Sequence, residues 1–375
     1  MKRKLCTAVL ILGVCLLASG TARAARTVDI DGSFTSIVAY GNSNDGGITY
    51  SAPYSDNTLN INNGAALDVA YGALSDGDFE VANNNVNLNG GTLGGSIYGG
   101  YLGDLTSTAD VTGNRVTVNS GTVLSVTGGY TDGSGAADGN TVIIKGGTIN
   151  GYVYGGSNAG TGDAKGNRVT ISGSPAFSGT GSIYGASSAG GDATGNTVTI
   201  SGSPTFSGTE YIVGGTSSGG DNTTGNRLEI KTAGLEVDLV MNFEFIDFYL
   251  PSGIKAGDTV LAPTNATDLT DVEIGVKPGT VDAPPALKVG DEITLIDNVT
   301  GTFDDREVKV SVCTFELSVI GGKLTAKLTA ITLPPPGSGG GGKKSSSGGG
   351  GCDAGFGLFG LALLAALRVA RKGKK

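Results

Sequence analysis

Asn140-Thr-Val-Ile-Ile-Lys-Gly-Gly-Thr-Ile-Asn-Gly-Tyr-Val-Tyr-Gly-Gly156 holds two short apolar runs separated by glycine. Val142 and Ile144 stand two and four places after Asn140, and polar residues flank them, with Ile143 as the exception. That is the period of a strand with one face in and one face out. The same unit starts at seven aligned asparagines: Asn57, Asn84, Asn114, Asn140, Asn167, Asn196 and Asn226. Their spacings are 27, 30, 26, 27, 29 and 30 residues. Positions two and four are apolar in every copy, from Leu59/Ile61 to Leu228/Ile230. A second run follows in most copies: Ile97-Tyr-Gly-Gly100, Val126-Thr-Gly-Gly129, Val153-Tyr-Gly-Gly156, Ile183-Tyr-Gly-Ala186 and Ile212-Val-Gly-Gly215. Val38-Ala-Tyr-Gly41 and Val69-Ala-Tyr-Gly72 read as degenerate earlier copies.

One such unit cannot bury its apolar face alone, but a stack of them can. The expected fold is therefore all-β. It is a parallel β-solenoid (β-helix) with about seven 26–30-residue rungs and a C-terminal capping β module. Rungs stack about 4.8 Å apart. Length varies between the strands, around Ser174-Pro175 and Ser203-Pro204, as loops on a stacked scaffold allow.

The asparagine row has a structural reading. Asn adopts left-handed corners and bonds its own backbone, and stacked amides bond from rung to rung. A row of ligand-binding amides is the alternative. Gly113, Gly139, Gly166, Gly195 and Gly225 precede the later anchors and fit a corner with positive φ. Asp110, Asp163, Asp192 and Asp221 lie four or five residues before an anchor. One carboxylate per loop supplies few of the oxygens that Ca²⁺ needs, so turn residues are the better reading. Arg115, Arg168 and Arg227 occupy the outward first position of alternate copies and read as solvated side chains.

Composition narrows the function. Gly accounts for 67 of 375 residues, His is absent and the net charge is -9. An acidic body argues against a nucleic-acid partner. No cofactor or metal site stands out. Without His, acid–base chemistry would need paired carboxylates or a Lys/Arg base in a cleft, and none is marked.

The ends carry export signals. Met1-Lys-Arg-Lys4, the apolar run Leu5–Leu17 and Ala22-Arg-Ala24 form a signal peptide over 1–24, cleaved between Ala24 and Ala25. Residues 25–56 make an N-terminal cap with a degenerate rung, 57–230 the solenoid, and 231–333 the capping module. Cys6 and Cys15 leave with the signal. Cys313 and Cys352 remain, which makes a disulfide framework an unexpected feature. Residues 334–351 form a Pro/Gly/Ser linker and 352–375 a short apolar segment with a basic end. Counted over 354–370, that segment is a marginal membrane span.

The Asn-x-Val-x-Ile-x-Gly-Gly and (Ile/Val)-Tyr-Gly-Gly repeats resemble those of autotransporter and haemagglutinin-like passenger domains. Phe248-Tyr-Leu-Pro-Ser-Gly-Ile-Lys-Ala-Gly-Asp-Thr259 and Val289-Gly-Asp-Glu-Ile-Thr-Leu-Ile296 are similar to the segment such proteins place before a membrane barrel. The resemblance covers roughly 40–333. It implies an extracellular solenoid with adhesin-like roles and supplies no catalytic residues. The 42 residues after Leu333 are too few for a barrel. Ser346-Ser-Gly-Gly-Gly-Gly-Cys-Asp-Ala-Gly-Phe-Gly357 resembles the Synerg-CTERM class of sorting tails of diderm bacteria, similar in layout to GlyGly-CTERM tails. That resemblance implies processing near Gly351 and Cys352 by a sorting protease, after the export machinery has acted.

The expected function is a cell-surface structural or adhesin-like solenoid, exported to the envelope or outer surface of a diderm bacterium and anchored, or released after processing. Its partner would be a surface glycan or protein. A secreted polysaccharide-active β-helix enzyme and a degenerate autotransporter passenger are the alternatives.

Overall fold

The computed structural model describes residues 25–332 apart from 33–37, 44–46, 48, 180, 208–209 and 280–285. The expected signal segment before residue 25 and the linker and sorting tail after 333 lie outside the described residues. Among those described there is no helix, so none is long and apolar enough to cross a membrane.

The described chain is an all-β parallel β-solenoid. Its first sheet has ten parallel strands. They are Thr27–Ile30, Thr58–Ile61, Asn85–Leu88, Arg115–Val118, Thr141–Ile144, Arg168–Ile171, Thr197–Ile200, Arg227–Ile230, Phe245–Leu250 and Glu273–Pro278. The second sheet stacks Val38–Tyr40, Val69–Tyr71, Ser96–Leu102, Ser125–Thr131, Val153–Asn158, Ile183–Ser188, Tyr211–Ser217 and Leu239–Met241. A third, of two-residue strands, runs from Ala66–Leu67 to Ala176–Phe177. Strands are short because each coil must turn three times within its 26 to 30 residues.

Register follows the alternation. Val116, Val142, Val169 and Val198 lie opposite one another, as do Val118, Ile144, Ile171 and Ile200. All eight are fully buried. Ile97, Val126, Val153, Ile183 and Ile212 face them from the second sheet, and Leu93, Val123, Ile149 and Phe177 from the third. The result is one continuous aliphatic column, each rung covering its neighbours' core. A separate small cluster, Ala137, Ala164, Ala186 and Ala193, fills the space beneath the loops.

The winding exceeds the seven rungs expected from the sequence. Ten first-sheet strands make about nine coils. The stack continues past 230, the expected end of the solenoid, because Ile246/Phe248 and Ile274/Val276 extend the Leu228/Ile230 columns in register. The asparagine is simply gone there: by register, Glu244 and Val272 hold its place.

A further sheet starts on the last coils, where Leu235–Val237, Thr259–Pro263 and Glu292–Asp297 run parallel. The direction then reverses, and Lys323–Ile331, Cys313–Ile320 and Arg306–Val310 pair antiparallel. Gly321 and Gly322, with φ of 60° and 76°, form the two-residue turn between the last two strands in chain order. Both positions need positive φ, which glycine adopts without steric cost. Arg306 Nη2 donates to the Ile274 carbonyl at 2.6 Å, placing a cation over the edge of the last first-sheet strand. Charge at a sheet edge discourages further pairing.

Candidate functional site

The seven anchors form one buried ladder. Each Oδ1 from Asn84 to Asn226 accepts two bonds from the preceding rung, one from the anchor's backbone N–H and one from its Nδ2. At Asn140 these bonds come from Asn114 N at 2.9 Å and Asn114 Nδ2 at 3.1 Å. Asn140 Nδ2 in turn donates to Asn167 Oδ1 and to the Val111 carbonyl. Both lone pairs and both N–H groups are used, so these amides have nothing left for a ligand. The first ring of the ladder is open to Arg26, whose N–H donates to Asn57 Oδ1.

Two details differ from the expectation. The anchors themselves are not left-handed; the preceding residue is. Gly113, Gly139, Gly166, Gly195 and Gly225 have φ of 64° to 71°, and Asp56 and Asn83 take the same conformation in the first two copies. The Gly-Gly pair also acquires a reason that periodicity alone does not provide. A Cβ on Gly128 would meet the Gly155 carbonyl oxygen at 2.2 Å, and one on Gly129 would meet the Asn140 amide at 2.5 Å. The pair lets the second sheet pass directly over the ladder.

The loop aspartates are corner residues. Asp110 accepts from Ala136 N, Asp163 from Asp192 N, and Asp192 from Asp221 N, each across one rung. Asp221 accepts from Thr223 N and Thr224 N within its own loop. Lys165 Nζ bridges Asp163 and Asp192 at 2.6 and 2.9 Å. Its hydrogen bonds, then those from the next rung's backbone, hold both carboxyls below the ordinary aspartate value. No group of three metal-ligating side chains occurs among the described residues.

Of the three outward arginines, Arg115 and Arg168 are exposed, as expected. Arg227 is not merely solvated. It belongs to a block of side chains on the outer face of the last three first-sheet strands. Register sets Arg227, Phe245 and Glu273 in one column and Glu229, Asp247 and Gly275 in the next. Lys231, Tyr249 and Lys277 flank them, with Tyr249 opposite Lys277. Asp247 is the centre, 4 % exposed. Its Oδ2 receives Arg227 Nη1 and, at 2.7 Å, Lys277 Nζ. The Arg227 guanidinium lies 4.3 Å from the centre of the Phe245 ring, and Lys231 Nζ 4.6 Å from that of Tyr249. Lys231 also pairs with Glu229 at 2.8 Å, and Thr199 Oγ1 donates to the same carboxylate oxygen. Burial pushes the Glu229 carboxyl up, but the Lys231 bond and charge and the Thr199 bond outweigh it, leaving its pKa below the ordinary value. For Lys277, burial opposes the charge and Asp247 outweighs it, so its pKa is raised. This block was legible in principle: Phe245-Ile-Asp-Phe-Tyr249 aligns with Arg227-Leu-Glu-Ile-Lys231 once the missing anchor is ignored.

The outer face of the second sheet carries tyrosines. Tyr40, Tyr71 and Tyr98 stack at 5.6 and 5.4 Å between ring centres, and Tyr101 and Tyr130 at 4.9 Å in the adjacent column. Rings in the two columns meet edge to face. Thr127 interrupts the first column, which resumes with Tyr154 and Tyr184 at 4.8 Å. The Tyr101 and Tyr130 hydroxyls share Asp132, at 3.3 and 2.8 Å. Burial pushes the Tyr71 phenol up to about 12, and burial with the Asp132 carboxylate raises Tyr101 and Tyr130 as well. Tyr152 and Tyr211 are exposed.

A cleft of about 350 Å³ opens near the end of the second sheet, lined by Leu239, Met241, Phe243, Thr267, Asp268 and Thr270 among others. It sets no second carboxylate opposite Asp268. Of the sequence-marked processing residues, Ala25 is exposed, while Ala24, Gly351 and Cys352 lie outside the described residues. Cys313 is buried, which raises its thiol pKa. Comparison with known proteins returns no match: no protein family, no curated protein and no solved structure is significantly similar to this chain.

Proposed function

We propose that this chain is an exported, non-catalytic surface protein, a structural or adhesin-like rod that contacts its partner along the outer faces of the solenoid. The observation that carries the reading is the tyrosine flank. Tyrosine presents a large, rigid, amphipathic surface at low entropic cost, and it is enriched where proteins meet partners. Here stacking holds the rings in place before any partner arrives, which reduces the ordering cost of binding. The neighbouring carboxylates Glu229 and Asp247 favour binding over acid–base work. Both are paired with cations, and Glu229, held below its ordinary pKa by Lys231 and Thr199, is a poor proton donor at neutral pH.

Export through residues 1–24 and anchoring or sorting through Gly351 and Cys352 complete the proposal, resting on the sequence resemblance described above. The test is deletion of the gene in the source bacterium, with surface labelling and an adhesion assay. The account expects the protein on the outer surface and adhesion reduced on its loss. A protein retained inside the cell, with adhesion unchanged, would overturn it.

A further inference from the structure

Tyr152, Tyr211 and Met241 are 43, 40 and 39 % exposed, and all three stand on the outer face of the second sheet. The stacked tyrosines of that face cover one another's ring surfaces, but these two tyrosines do not stack. Tyr152 meets Tyr154 and Tyr184 at tilts of 37° and 47°, and no ring contact among the described residues involves Tyr211. Register places Ser182 between them, one rung from each, and Leu239 one rung beyond Tyr211. The two tyrosines are therefore two rungs apart, about 9.6 Å. Met241 follows on the next rung, opposite Val213. There the second sheet stops, because Thr267–Asp268 pairs forward with Val299–Thr300 and not back with Leu239–Met241. The cleft of about 350 Å³ opens at this break, with Leu239 and Met241 on its wall. An exposed aromatic stripe thus runs along the rod into an open cavity.

We propose that Tyr152, Tyr211 and the cleft form one extended binding site for a neutral β-1,4-linked glycan. The spacing points to a polymer whose own repeat matches the rungs. In an extended β-1,4-linked chain of pyranose rings, each residue is turned over relative to the last and advances by about one rung. Alternate residues then present the same C–H face to Tyr152 and Tyr211, where burial and dispersion hold it. The residue between them passes over Ser182, whose side chain is small. Charge sets the rest of the ligand class. The second-sheet strands from Ser125 to Ser217 contain no Asp, Glu, Lys or Arg, and Asp268 is the one charged residue among those that line the cleft. A carboxylate accepts hydrogen bonds from sugar hydroxyls and repels an anionic chain. Asp268 Oδ1 takes only the Thr270 N–H at 2.9 Å, which leaves the carboxylate acceptor capacity for a neutral sugar.

The inference rests on the proposed surface-binding role and names its ligand and site. Purified full-length protein is titrated calorimetrically with cellohexaose, β-1,4-mannohexaose and chitohexaose. Maltohexaose is the control for shape, since it has the composition of cellohexaose but α-linkages that curve the chain. An oligogalacturonate is the control for charge. At least one β-1,4-linked hexasaccharide is expected to bind, and both controls to bind at least tenfold more weakly. Tyr152→Ala, Tyr211→Ala and Met241→Ala each remove an exposed side chain and are each expected to weaken binding at least tenfold while the thermal midpoint holds. Absence of binding by every β-1,4-linked hexasaccharide, equal binding of either control, or unchanged affinity in the folded variants overturns the site. Failure here leaves the adhesion result standing. Conversely, glycan binding with no adhesion phenotype removes the adhesin role and keeps the site.

Discussion

Replacing Asn140 by alanine removes four hydrogen bonds at a site with no solvent access. Asn114 loses the acceptor of its backbone N–H and of its Nδ2, the Val111 carbonyl loses a donor, and Asn167 Oδ1 loses one of its two. The Asn140 backbone N–H keeps its bond to Asn167. A net hydrogen bond contributes about 1 kcal/mol, and a buried group left without a partner costs about 1–3 kcal/mol. Four bonds and two stranded donors on Asn114 therefore put the loss at about 4 kcal/mol or more. Asn119 is the control. Its amide also bonds across a rung, to Asn89 Oδ1 at 2.9 Å, but that pair is exposed. Water replaces it, and Asn119→Ala should cost no more than about 0.5 kcal/mol. Urea unfolding followed by far-ultraviolet circular dichroism measures both, with coincidence of a tyrosine fluorescence probe as the check on two-state behaviour. Losses within about 1 kcal/mol of each other would refute the claim that the ladder holds the rungs together.

Three further outcomes follow from the same geometry. Val142→Asp places an unpaired carboxylate in the fully buried column and should prevent folding, whereas Arg168→Thr on the exposed face should change stability by no more than about 0.5 kcal/mol; denaturation of both variants checks this. Gly128→Ala sets a Cβ against the Gly155 carbonyl and should cost about 1–3 kcal/mol, read by the same unfolding assay. Tyr71 and Tyr50 have phenols raised to about 12, the first by burial and the second chiefly by its hydrogen bond to Asp76. A raised phenol pKa favours the folded state while the phenol stays protonated. That contribution is complete below the unfolded value near 10 and is lost as pH rises from there to about 12. A spectrophotometric titration of the folded protein should show a late phase from these two phenols that coincides with unfolding.

The strand alternation after each asparagine is enough to place the first sheet, because a buried column selects apolar side chains and the period is two. The second-sheet runs are equally legible, down to the degenerate Val38 and Val69 copies, since tyrosine and the Gly-Gly pair mark them. What does not show is anything that depends on contact between rungs. Gly128 and Gly129 read as turn residues in isolation, and only the ladder beneath them explains why both are glycine. Asp163 and Asp192 read as turn residues, but that the next rung's N–H groups and Lys165 hold their carboxylates does not show. The last two first-sheet strands escape notice because Glu244 and Val272 stand where the anchor should be, and Phe248 replaces the aliphatic residue of the column. For the same reason Arg227 reads as one more solvated arginine. Its partner Asp247 is 20 residues away in a segment that has no asparagine anchor to mark its alignment.

The central claim is that equivalent residues of successive repeats lie in register, one rung apart. Pulsed electron–electron distances test it directly. In a background lacking the native cysteines, one spin label is fixed at Thr27 and the second is moved from Thr141 to Arg168 to Thr197. Those positions are four, five and six first-sheet rungs from Thr27. The account predicts distances that lengthen by about 4.8 Å at each step, through roughly 19, 24 and 29 Å. Distances that stay constant, shorten or change irregularly across the three pairs would contradict the stacked solenoid.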